Sequence, residues 1–532
     1  MVCTATQSAV YRQRRPRDSS LYQLIDRYYE EFQRVYAQRY QRRYGFWRPA
    51  IGAAVRRFLR CGDPAAGLAR IRCPDCGHEM FVAFSCRRRC HCPSCHQKRS
   101  LIFGDQVAHE ICAPVPHRQY VLTIPKRLRI FFRYDRRLLG GLMRVAWETI
   151  NQAHREALGR DDVVPGMIAG IQTFGALAHF HPHVHAITTD GAFTRDNTGH
   201  FICVPPLDME KVRRLWEDRV FHLLLEAGKI QLELVEQIGR WKHSGFSVDG
   251  CVRLVAGDTA GLYRLAQYMA RCPFRLARLV QVTDSGQVIY RAEKPDCRPF
   301  PQPASRDLFG GVPRNFQVLD ALDFLAEVTQ HIPDKGEHLA RYYGWYSHRC
   351  RGLRAVSGAF SCLAKTDDLS SNDNGKKRCL TPSASADVHI DRRQLQAAKT
   401  DAARRRQARN WAALIQRVWE VDPLKCTKCG GQMQIVSLIE ARQQEVLRQI
   451  LEHCGLWQGP PRQMPQPRPP PDRRQRQPSR PREVQLVLDI ELDANVPTSR
   501  SPVAGLHLVL DPEYLAEYQS EAEISQRAVP YD

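Results

Sequence analysis

Apolar residues recur along this chain in steps of three and four in some stretches and in steps of two in others. Between residues 19 and 60, Leu21, Leu24, Ile25, Tyr28, Phe32, Val35 and Tyr36 follow helical steps, with Arg and Gln between them. Arg34, Arg39, Arg42 and Arg43 then line the opposite face, where cations could meet phosphates. RQYVLTIP (118–125) is a short β-type run ended by Pro125, and residues 137–158 predict a helix. The stretch 171–193 holds two strand-like runs, and 206–240 is helical. FSVDGCVRLV and QVIYR predict strands. GLYRLAQYMA and residues 319–332 predict helices, as does the stretch around RYYGWYSHR. Strands interleaved with helices in this way predict an α+β fold on a central antiparallel or mixed sheet.

Composition shifts mark the boundaries. Residues 1–105 form an expected helical arm and Cys-rich domain, and 106–363 the α+β domain. Residues 364–390 are polar and rich in turn formers, hence a linker. Residues 391–457 hold a basic helix and a further Cys-x-x-Cys motif, expected as a separate segment. Residues 458–482 carry nine prolines and seven arginines, so the 458–532 tail starts as an extended basic tether, with a lone strand expected at 484–492. No apolar run approaches the length of a spanning helix, and the first residues lack a signal-peptide pattern. A cytoplasmic, nucleoid-associated protein is the expectation.

Charge narrows the partner. The 532 residues carry 78 Lys+Arg and 56 Asp+Glu, a net +22. Residues 1–100 alone hold 20 basic and 7 acidic side chains, 20 − 7 = +13, more than half of that excess. Such clustering points to a polyanion, and nucleic acid is the natural one.

The cysteines narrow the chemistry. Seven fall between Cys61 and Cys95. Cys73-x-x-Cys76 and Cys92-x-x-Cys95 stand fifteen residues apart, a zinc-ribbon spacing in which each pair aims two thiolates at one tetrahedral ion. Cys61, His78, Cys86 and either Cys90 or His96 remain for a second zinc. Arg87, Arg88, Arg89, Lys98 and Arg99 crowd the same loop. The domain is therefore expected to present cations to DNA, since a four-thiolate zinc has no open position for chemistry. KCTKCGG around Cys426 and Cys429 is half a site or a tight turn, which His453 and Cys454 could complete.

AHFHPHVHAI sets His179, His181, His183 and His185 at alternate positions, hence on one face of a strand. His183 and His185, bracketing Val184, read as a two-ligand metal clamp, with Gln172 or His181 as the third donor. Imidazole with oxygen donors suits Mg²⁺ or Mn²⁺ acting on phosphate. RYYGWYSHRCRG holds Tyr342, Tyr343 and Tyr346. On a helix Tyr342 and Tyr346 share a face, and a phenolate there could attack a phosphodiester.

In this order, these features resemble the rolling-circle transposases of the HUH nuclease superfamily, above all the IS91 insertion-sequence family and its common-region relatives. The resemblance covers roughly residues 20–455 and rests on the Cys block, YVLTIPKRLR, HPHVHAITTDGAF, YMARCPFRLARL, HIPDKGEHLARYYGWYS and KCTKCGGQM. It implies an HUH-type palm, a central antiparallel sheet flanked by helices, behind a small zinc-binding domain with an N-terminal helix. It implies structural Zn²⁺, catalytic Mg²⁺ or Mn²⁺ on His183 and His185, and single-stranded insertion-sequence ends and target DNA as partners, with no membrane. A tyrosine would cut one strand and keep a 5′-phosphotyrosine, with Tyr346 the first choice, Tyr342 its pair and Tyr343 the single-tyrosine match. One departure stands out: Arg89-Cys90-His91 where the family pattern has Arg-Gly. A replication initiator would use the same chemistry without the zinc block; a non-enzymatic zinc-finger protein would leave the histidines and tyrosines unexplained.

Overall fold

The computed structural model describes residues 16–175, 178–195, 200–292, 315–357, 422–457 and 459. The linker, the basic helix of 391–420, the 484–492 strand and, but for Gly459, the Pro/Arg-rich tether lie outside the described residues.

Helix α1 (Ser20–Arg39) starts at Ser19, whose hydroxyl accepts from the Tyr22 amide, and buries Leu21, Leu24, Ile25, Tyr29, Phe32 and Tyr36. Tyr29, not Tyr28, is the inward residue, while Val35 is half-buried. Short α2 (Gln41–Tyr44) and α3 (Pro49–Phe58) complete the arm. Strands β1 (Gly67–Arg72) and β2 (Glu79–Ala83) form an antiparallel hairpin, followed by α4 (Pro93–Gln106).

The central layer begins with β3 (His117–Thr123), α5 (Lys126–Tyr134) and α6 (Arg137–Leu158). Strands β4 (Val163–Val164), β5 (Gly166–Phe174), β6 (Phe180–Thr189), β7 (Gly191–Thr194) and β8 (Phe201–Cys203) follow. Next come α7 (Met209–Glu226), α8 (Leu232–Gly239), β9 (Ser247–Asp249), β10 (Arg253–Leu254) and α9 (Thr259–Met269). Strands β11 (Leu279–Val282), β12 (Gln287–Arg291) and β13 (Phe316–Asp320) form a small antiparallel sheet ahead of α10 (Ala321–Thr329). Strand β14 (Ala340–Gly344), α11 (His348–Ser357), β15 (Gln434–Glu440) and α12 (Gln444–His453) close the described chain.

The main sheet runs β10-β3-β6-β5-β14, with β9 also on β3, and every pairing is antiparallel. One face carries Tyr120, Leu122, Met167, Ala169, Ile171, Val184 and Ala186 against α5, α6 and α7. On the other, Ile168 and Ile187 pack with Leu262, Ala266 and Met269 of α9. The helix covering that second face is therefore the one lying over the histidines. Burial on both faces explains why β5 reads as a near-continuous apolar run, while β6 alternates apolar residues with His181, His183 and His185.

Two expectations need correction. RYYGWYSHR is helical only from His348, where α11 begins: its first half is the edge strand β14, paired with β5 through Tyr342↔Ile168 and Tyr343↔Met167, so the three tyrosines are not on a helix. The strand ends at Gly344, at φ 55, where a Cβ would stand 2.1 Å from the Pro165 carbonyl and 2.4 Å from Trp147. Nor is the segment after 422 separate. Strand β15 adds to β1, giving the sheet β15-β1-β2, and Leu447 and Leu451 of α12 pack with Leu68.

Candidate functional site

The thiols form two groups, pairing differently from the sequence expectation. Cys61, Cys86, Cys92 and Cys95 converge, all buried; Cys73 and Cys76 converge instead with Cys426 and Cys429. A zinc ion with bonds of about 2.3 Å sets its sulfurs about 3.8 Å apart. Cys61 lies 4.0 Å from Cys92 and 3.8 Å from Cys95, and Cys86 lies 3.5 Å from Cys95. In the second group Cys73 is 3.5 Å from Cys429 and Cys76 is 3.6 Å from Cys426. Both fit structural zinc. Cys73/Cys76 and Cys92/Cys95 thus serve different centres. His78, Cys90, His96, His453 and Cys454 belong to neither.

A signal for the true pairing was present. CPDCGH and CTKCGG fold into matching knuckles, with Cys73 N–H donating to His78 O and Gly77 N–H to Cys73 O, mirrored by Cys426 to Gly431 and Gly430 to Cys426. Gly77 and Gly430 sit at φ 73 and 76. Cys92-Pro-Ser-Cys95 has no such glycine and instead opens α4. Cys90 stands at φ 54, in the region that favours glycine. Its thiol is buried away from the centres, and its amide donates to His96 Nδ1 at 2.8 Å.

On β6, His181, His183 and His185 share the face of Ile187. His179 lies before the strand and pairs with Glu327 Oε1 at 3.5 Å, outside the row. His183 Nε2 and His185 Nε2 are 3.0 Å apart. Two donors at right angles around an ion at about 2.1 Å stand about 3.0 Å apart, so the pair is spaced as a cis chelate. His183 Nδ1–H donates to His181 O at 2.9 Å, which leaves Nε2 as the lone pair. Gln119 Nε2 lies 3.1 Å from His185 Nδ1, which holds that ring's proton on Nε2; turning the amide over moves it to Nδ1 and frees Nε2 for metal. Burial, reinforced by the cations of Arg271 and Arg129, lowers the His183 pKa to about 4, so the ring is a neutral ligand at neutral pH. Burial likewise holds His185 well below the usual imidazole range.

Gln172, opposite His183 in the register, donates through Nε2 to the carbonyls of Tyr268 (2.8 Å) and Met269 (3.2 Å) and accepts at Oε1 from Arg271. His181 Nε2 is buried and has no hydrogen-bond partner.

Sequence reasoning missed Tyr268. At the end of α9, its ring stands edge-on to His185, centroids 5.3 Å apart, and the Arg271 guanidinium lies 4.4 Å over it. The available signal was YMARCPFR: an aromatic in the last turn of the helix covering the histidine face and an arginine just beyond its end.

The three expected tyrosines fare differently. Tyr346 is fully buried; its hydroxyl accepts from the Ala113 amide at 3.1 Å and lies 2.7 Å from His117 Nε2, and burial raises its pKa well above the phenol range. Tyr343 stacks on Trp147 on the opposite face of the sheet. Tyr342 shares the histidine face beside Ile168, two strand spacings (about 10 Å) from β6. Burial raises its pKa while Arg351 and Arg99 oppose the rise.

The expected cations are also divided. Arg88 donates to Cys86 O and Arg89 to Glu337 O, so both help to fold the loop. Arg87 and Arg99 are exposed, and Lys98 is half-buried.

Two family models match. "Transposase zinc-binding domain" covers residues 31–124, and "Putative transposase" covers 166–353. The chain is 24% identical over 402 residues to "Transposase for insertion sequence element IS801" of Pseudomonas savastanoi pv. phaseolicola, covering 72% of this chain and 83% of the relative. It is 26% identical over 338 residues to "Putative transposase y4qJ" of Sinorhizobium fredii, covering 59% and 80%. No solved structure matches.

Proposed function

We propose that this chain, a transposase of the IS91 type with an N-terminal zinc-binding domain, nicks and rejoins single-stranded DNA at the His183–His185 patch on an HUH-type palm. The observation that carries the reading is Tyr268 against His185 with Arg271 stacked on it. His183 and His185 would hold a Mg²⁺ or Mn²⁺ ion, with Gln172 Oε1 as third donor. When bound, that ion supplies Lewis acidity to the scissile phosphate.

Arg271 and Arg129, whose charges reach the histidines, hold the phosphate. The Tyr268 oxygen attacks phosphorus and its proton leaves to solvent. The phosphorus–O3′ bond breaks, and the departing oxygen takes up a proton. A 5′-phosphotyrosine and a free 3′-OH result, and attack by a 3′-OH reverses the step and joins strands. Repeated at an insertion-sequence end and at a target, this gives rolling-circle-like transposition. Arg87, Arg99 and the arm's Arg34, Arg39, Arg42 and Arg43 supply phosphate contacts away from the patch. Tyr342, on the same face, is the second acceptor if two strands are held at once.

The test is Mn²⁺-dependent covalent capture of an end-labelled single strand. Tyr268→Phe should abolish the adduct, and His183→Ala with His185→Ala should do the same while strand binding stays within about threefold. An undiminished adduct in Tyr268→Phe would refute the assignment.

A further inference from the structure

The end of α9 is held from outside its own helix. A helix leaves its last carbonyls without intrahelical donors. Here four successive carbonyls are met by side chains: Gln267 O by Ser100 Oγ at 3.0 Å, Tyr268 O and Met269 O by Gln172, and Ala270 O by His96 Nε2 at 2.6 Å. Ser100 and His96 lie on α4, the helix whose first turn carries Cys92 and Cys95.

The His96 tautomer is dictated by the thiol loop. Cys90 N–H donates to Nδ1, so the ring proton is on Nε2 and donates to Ala270 O. Cys90 sits between Cys86 and Cys92, both of the buried thiol centre, at φ 54. Centre, loop, imidazole and α9 terminus therefore form one continuous chain of contacts that ends beside Tyr268.

We infer that the Cys61/Cys86/Cys92/Cys95 centre positions the attacking tyrosine, with His96 and Ser100 as the positioning residues. The zinc-binding domain then acts in the cleavage step as well as in DNA contact. This rests on the Tyr268 reading. A misplacement of about 1 Å in a reacting group costs on the order of 100-fold in rate, so loss of one carbonyl clamp should be visible in the chemical step alone.

The experiment uses the full chain and a labelled single strand at saturating concentration in Mn²⁺. It compares His96→Asn, which keeps an acceptor for Cys90 N–H but cannot reach Ala270 O, with His96→Gln, which restores a donor at that reach; Ser100→Ala and Ser100→Thr form a second pair. Single-turnover adduct formation should fall at least about tenfold in His96→Asn and Ser100→Ala and recover to within about threefold in His96→Gln and Ser100→Thr. Strand Kd and zinc content should not change. Wild-type rates in both His96→Asn and Ser100→Ala would overturn the inference, as would a fall that tracks lost zinc or lost binding without recovery in the conservative variants. Peptide mapping of the wild-type adduct separates the two claims: an adduct on another residue overturns the Tyr268 reading and this inference with it.

Discussion

At the residue scale, several histidines away from the His183–His185 patch are buried as neutral rings. Burial holds His91 at about 3 and His117, His154 and His331 at about 4. Neither nitrogen of His91 or of His154 has a hydrogen-bond partner. Unfolding lets each ring bind a proton once pH falls below about 6.5, while the folded ring resists until pH 3 to 4. Between those values the unfolded state holds more protons, so stability falls as pH falls, by at most about 1.4 kcal/mol per pH unit for each group. Replacing His154 by Phe, which keeps an edge-on partner for Tyr120, should move the midpoint of acid unfolding to lower pH; an unchanged midpoint would contradict this. Tyr346→Phe removes a buried hydroxyl that serves Ala113 N–H and His117. It should cost about 1–3 kcal/mol in denaturant unfolding while leaving the DNA adduct in place. Loss of the adduct in a folded Tyr346→Phe protein would return that residue to the chemistry.

At the element scale, local periodicity was a good guide where one element owns its pattern. Helix Arg137–Leu158 fills the stretch expected to be helical, and strand His117–Thr123 overlaps the β-type run expected at 118–125. The tyrosine segment misled because two spacings coexist in it. Tyr342 and Tyr346 are four apart, as on a helix, but Tyr342 and Tyr343 face opposite sides of the sheet, as on a strand. Pairing with buried β5 decided the outcome, and no local window contains that partner. The second thiol centre was hidden for the same reason: its halves lie some 350 residues apart in sequence. Its knuckles should act as a clasp. Cys426→Ser with Cys429→Ser should lower zinc from two ions to one per chain and make residues 422–457 more open to limited proteolysis, since the centre fastens the start of this segment to Cys73 and Cys76. Cys92→Ser with Cys95→Ser should also remove one ion. Loss of both ions from either double variant would contradict two separate centres.

At the scale of the whole molecule, one sheet face gathers what the sequence scatters. It presents His183 and His185 from β6, Gln172 from β5 and Tyr342 from β14, and α9 lays Tyr268 and the following Arg271 over them. The sequence displayed the alternating histidines and the basic, thiol-rich front end plainly, because each is a local pattern of unusual residues. It did not display Tyr268, whose role depends on α9 crossing the histidine strand. The most direct test is therefore to trap the full chain on a labelled single strand in Mn²⁺, digest it and identify the peptide that carries the nucleotide. The expected result is the peptide containing Tyr268, absent when His183 and His185 are both alanine. A nucleotide found on the peptide of Tyr342, Tyr343 and Tyr346 instead, or an adduct that persists without the histidines, would contradict the account.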